Sequence, residues 1–258
     1  MTIRPPTTTL RGPAPAAPPE ATAPPPDSVR TLRTAARVAG AALLLTAITG
    51  AVGNVVVVQG LVTPGDAAAT AGDIMASDGL FRLGLVALYL AVVCDVVVAW
   101  ALLRVFTPVS RDLSRLAAWF RLAYSAVFLV SLAHLAGIPG LLGAPAYAEA
   151  FTTEQREAQV LLAFDTFTDV WFAGLVLFGV HLALVGYLAY RSGFVPRLIG
   201  VLLVVAGAGY AFDSFVSLFS EGTPFTVSAI TFLGELLLAL WLLLRGHRIT
   251  PTGGNHAR

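Results

Sequence analysis

Five carboxylates stand inside otherwise apolar stretches: Asp95, Asp165, Asp169, Asp213 and Glu235. In hydrocarbon such a group must be relieved by protonation, by an arginine or histidine partner, by a bound cation or by a water-filled cavity. Asp165 and Asp169 are four residues apart, so on a helix they share a face and repel when both are ionised; a shared proton or cation removes that penalty. Arg82 lies on the same side of the apolar region as most of these acids and is the favoured ion-pair partner, whereas Arg121 is expected to snorkel toward the nearer boundary. His134 and His181 are the histidines within apolar runs. With acids they are candidate metal ligands, although neither falls in an HExxH or a repeated spacing, and a lone histidine on a packed helix is more often a hydrogen-bonded core residue. The candidate ligand- or ion-binding set is therefore Arg82, Asp95, Asp165, Asp169, His181, Asp213 and Glu235. No residue is assigned a catalytic role, and the cofactor is left unknown.

Positioning these groups falls to six apolar runs between Ala35 and Arg245. A bilayer core of about 30 Å and a rise of about 1.5 Å per residue require roughly 20 apolar residues per crossing, and each run suffices. The predicted crossings cover residues 34–62, 80–106, 116–142, 153–191, 197–219 and 226–244. Pro64-Gly65 ends the first, and Asp66 suits the N-cap of a short helix along the membrane surface to Ala76. Thr152 and Gln155 have capping-box spacing, which starts a fourth helix longer than a bilayer needs. Gly193 and Pro196 make a tight turn, and the cluster Ala206–Gly209 allows close packing that brings Tyr210 and Asp213 inward. Residues 1–33 read as a disordered Pro/Ala-rich tail, 34–246 as the transmembrane domain and 247–258 as a short tail.

The chain has 258 residues, 57% of them hydrophobic and 12% charged. With a mean hydropathy of +0.79, that charge is about half the share of a soluble domain, which excludes a soluble fold. A net charge of +1 with no basic, aromatic-interleaved stripe excludes nucleic acid as a partner. The lone Cys94 forms no intrachain disulfide and no zinc spacing. All sixteen basic residues are arginine; they gather before the first crossing, around Arg104–Arg115, at Arg191 and Arg197, and after Arg245. Acids fill the alternate loops, so both termini are expected in the cytoplasm. Trp100, Trp119, Tyr187, Tyr190 and Trp241 fall near those arginine-bearing ends as an interfacial belt.

The phrases PGDAAATAGDIMASDGLFRLG, CDVVVAWALL, LFGVHLALVGYLAYRSGFVPRLIGVLLVVAGAGYAFDSF and LGELLLALWLL resemble the bacterial membrane family catalogued as domain of unknown function (DUF) 4386. The resemblance covers nearly everything after the tail and implies a six-helix integral membrane protein without an established activity. The expected protein is thus all-α and polytopic, in the bacterial cytoplasmic membrane, with lipid as its surroundings. The leading functional expectation is non-enzymatic binding or transport of a proton, cation or small solute in a cavity lined by acids. The alternatives are an intramembrane metal-assisted hydrolase using His134 and His181, or a scaffold or sensor whose acids only lock helices together.

Overall fold

In the computed structural model, residues 26–217, 219 and 232–249 are described. The expected tails through Pro25 and from Thr250, and the expected start of the sixth crossing at Thr226, lie outside them.

Helix α1 (Pro26–Gly53) begins earlier than the expected Thr34, with proline in the first turn where its fixed φ suits the helix and its missing N–H is no loss. It runs on into a π-helical stretch, Asn54–Gln59. Asp66 then caps α2 (Ala67–Ala76), its side chain accepting from the Ala69 amide at 2.9 Å. Thr70 and Ile74 are buried, and the helix packs mainly on α7. Next come α3 (Asp78–Phe106) and α4 (Arg111–Ala136). The third apolar run reaches Gly143, close to the expected Leu142, but is interrupted at Gly137, after which α5 (Ile138–Gly143) has Pro139 in its opening turn; α6 (Pro145–Ala150) follows. Helix α7 (Thr153–Arg191) has both hydrogen bonds of the expected capping box, Gln155 N–H to Thr152 Oγ1 and Thr152 N–H to Gln155 Oε1. Gly193, at φ +71°, turns the chain into α8 (Arg197–Ser217). Helix α9 (Leu233–Arg245) closes the described part with a 3-10 turn, Gly246–Arg248.

Among the described residues there is no strand, and five stretches are long and apolar enough to cross a membrane: Val29–Val58, Asp78–Phe106, Arg111–Gly143, Thr153–Arg191 and Arg197–Ser217. This is the signature of a multi-pass membrane protein. The long helices form a ring in the order α1, α3, α4, α7, α8, α9, with α9 returning to α1. Arg33 Nε donates to the Ile249 carbonyl at 3.2 Å across that last contact. Neighbours alternate in direction, so one end of the ring gathers arginines and the other gathers acids. Around the arginine end Trp100, Trp119, Tyr187 and Tyr190 are exposed, with the Arg104 guanidinium 5.3 Å from the Trp100 ring centre and that of Arg197 5.5 Å from Tyr190.

The closest seam is between α7 and α8. A Cβ on Gly179 would stand 2.5 Å from the Gly207 carbonyl oxygen, and one on Gly186 would stand 2.6 Å from that of Gly200. Glycines seven residues apart on each helix therefore let the two backbones touch.

Candidate functional site

Asp95 on α3, Arg121 on α4 and His181 on α7 meet in the middle of the ring, each at most 3% exposed. Their shared depth follows from counting residues: Asp95 is eleven before the end of α3, Arg121 ten after the start of α4, and His181 ten before the end of α7. Each lies about 15 Å from the arginine end, half the thickness of a hydrocarbon core. Arg121 Nη2 donates to Asp95 Oδ1, and Nη1 lies 3.1 Å from His181 Nε2. Arginine has no acceptor, so Nε2 must accept, and the imidazole proton sits on Nδ1, donating to the Ala117 carbonyl at 2.8 Å. The guanidinium also lies 5.3 Å from the Phe178 ring centre. One ion pair and one histidine thus tie α3, α4 and α7 together.

Directly on the acidic-end side of this cluster is a cavity of about 690 Å³. It follows α1 from Leu43 to Val58, about 22 Å along the helix, and so reaches the π-helical stretch at that helix's acidic end. Toward the arginine end the bundle is solid: Ala101, Leu102, Val105, Phe106, Val185 and Leu188 are all buried. Most of the wall is apolar and aromatic. Rings run across it in sequence, Phe167 to Trp171, Trp171 to Phe128, Phe128 to Tyr124, Tyr124 to Phe178 and Phe178 to Tyr210, with centres 4.7–6.0 Å apart. Trp171 Nε1–H donates to the Tyr124 hydroxyl at 3.1 Å.

Among the described residues, the charged side chains on the wall are Asp95, Arg121 and Glu235. Glu235, ten residues before the end of α9, is 9% exposed and lies beside the Tyr210 hydroxyl. Among the described residues, four buried side-chain polar atoms have no hydrogen-bond partner: Thr46 Oγ1, Arg121 Nε, Arg156 Nε and Glu235 Oε1. Three of the four belong to residues lining this one cavity. Orphaned buried polar atoms are uncommon, and their gathering on one wall leaves hydrogen-bonding capacity there for water or another polar group.

Of the candidates read from the sequence, Asp95 and Glu235 share the cavity, and His181 stands behind Arg121. Asp213 is buried on α8 but is not part of the cavity wall. Asp165 and Asp169 are exposed on α7. Counting about 20 residues back from Arg191 places the limit of the apolar crossing near Phe172, which leaves both acids at headgroup level. Arg82 is exposed and paired with Asp78 of its own helix at 2.9 Å. The favoured ion pair is therefore corrected: the buried partner of an intramembrane acid is Arg121, which does not snorkel. His134 is exposed near the end of α4; it is seventeen residues, about 25 Å, from the Ala117 turn that His181 touches. The two histidines cannot share a metal, and among the described residues no group of three His, Cys, Asp or Glu side chains is placed to hold one.

Arg121, Tyr124 and Trp171 are the site residues that residue type alone did not reveal. Depth was the usable signal, since Arg121 stands as far from its helix end as Asp95, His181 and Glu235 do from theirs.

A protein of Archaeoglobus fulgidus described only as uncharacterized is 31% identical over 166 residues, which is 64% of this chain and 85% of that protein. No solved structure matches the chain at a significant level. The family described as domain of unknown function (DUF4386) matches residues 38–246, almost the whole helical ring with its buried pair and cavity, and the chain belongs to that family.

Proposed function

We propose that the protein is a six-crossing component of the cell membrane that takes up a small solute from the acidic side of the bilayer into its central cavity. The arginine end faces the cytoplasm in this reading, supported by the segregation of Arg30, Arg33, Arg104, Arg111, Arg191, Arg197, Arg245 and Arg248 to that end. Asp95 and Arg121 form the floor of the cavity, with His181 behind Arg121. The solute is bound and released without covalent chemistry, and passage to the other side would require the packed half below the floor to open. The observation that carries the proposal is the coincidence of a roomy cavity with three of the four orphaned buried polar atoms.

Cysteine accessibility tests it. In a Cys94→Ser background, Ala47→Cys on the cavity wall should react with a charged, membrane-impermeant thiosulfonate applied outside intact cells. Ala101→Cys, buried below the floor, should stay unmodified. An inert Ala47→Cys, or one reached only from the cytoplasm, would end this reading.

A further inference from the structure

We infer that the solute is a lipophilic organic monocation, its charge held against Glu235 and its hydrophobic body against the aromatic wall. This rests on the proposed solute cavity and specifies the ligand it takes.

Charge balance is the first argument. Among the described residues the wall carries Asp95, Arg121 and Glu235; Arg121 and Asp95 cancel within their own ion pair, which leaves Glu235, when ionised, as one negative charge with no hydrogen-bond partner on Oε1. A single positive charge restores neutrality, whereas an anion would add to the excess. On Arg121, Nη1 and Nη2 are already engaged by His181 and Asp95, which leaves Nε as the guanidinium nitrogen without a partner.

The second argument is the wall itself. Tyr124, Phe128, Trp171, Phe178 and Tyr210 present ring faces or edges within one connected cluster, and aromatic faces attract cations while offering apolar contact. A bare metal cation would need several oxygens at close range. Among the described residues no group of three His, Cys, Asp or Glu side chains is placed to hold one, and about 690 Å³ is the size of a site for an organic molecule.

Tetraphenylphosphonium and tetraphenylborate, nearly identical in shape and opposite in charge, separate the possibilities. Equilibrium binding of each radiolabelled ion to the purified full-length protein in neutral detergent should show saturable uptake of the phosphonium and none of the borate. Glu235→Gln should weaken phosphonium binding by about tenfold or more, the loss of one direct charge interaction, and Glu235→Asp should restore part of it. Should Glu235→Gln fail to fold, protection of Ala47→Cys from thiosulfonate by the phosphonium, but not by the borate, reads the same preference with Glu235 intact. Equal binding of both ions, a Glu235→Gln protein that binds like the parent, or no saturable phosphonium binding overturns the cation assignment. Each of those results leaves the solute cavity standing if Ala47→Cys is labelled from outside; an inert Ala47→Cys removes the cavity reading itself.

Discussion

Removing the guanidinium of Arg121 would leave Asp95 buried without a cation, and would strip His181 Nε2 of its donor. Breaking a buried pair from one side costs about 3–5 kcal/mol, so Arg121→Met should lower the unfolding midpoint in detergent sharply. The double variant Arg121→Met with Asp95→Leu removes both charges and should recover most of that loss in the same measurement. His181→Phe keeps the ring against Phe178 but loses the contacts to Arg121 and Ala117. That change should cost about 1–3 kcal/mol, clearly less than Arg121→Met. Asp95 and Glu235 were legible in the sequence because a carboxylate among Val, Leu and Ala has few innocent explanations. Arg121 was not, because an arginine following Arg111 and Arg115 looks like a boundary residue; ten residues of depth put it beyond the reach of a side chain that only snorkels.

Helix ends were legible wherever backbone chemistry dictates them. Asp66, the Thr152–Gln155 box and Gly193 all act as their residue types require. The region after Gly137 was harder, because Pro139 can end one helix or begin another, and here it begins α5. The Ala206–Gly209 cluster announced a close crossing, but Gly179 could be matched to Gly207, and Gly186 to Gly200, only once the antiparallel register of α7 and α8 was known. Gly186→Val should drive the two backbones apart, costing about 1–3 kcal/mol or more because the atoms in the way are backbone and cannot rotate aside. Gly72→Ala in the middle of α2 meets nothing within 4 Å and should instead stabilise by about 0.5–1 kcal/mol. Chemical unfolding of both variants side by side would expose any error in the assigned seam, since the two shifts must have opposite sign.

For the molecule as a whole, apolar run length carried most of the architecture: a bilayer accepts few structures other than helices, so counting residues nearly draws the ring. What counting could not supply was which face of each helix looks inward, because both lipid and cavity lining are apolar and periodicity separates them poorly. The proposed orientation predicts that a cysteine at Ala148, on α6 at the acidic end, reacts with impermeant reagent on intact cells, and that one at Val109, between α3 and α4, reacts only after the membrane is opened. The reverse pattern would invert the assigned topology. Finally, the molecule is hollow on one side of Arg121 and solid on the other, which makes it an uneven electrical resistor. With solvent entering the hollow half, a membrane potential drops mostly across the solid half. An ion settling beside Glu235 then crosses little of the field, and its affinity should hardly change with voltage. Any onward movement would feel most of the roughly 2.3 kcal/mol per charge that 100 mV supplies.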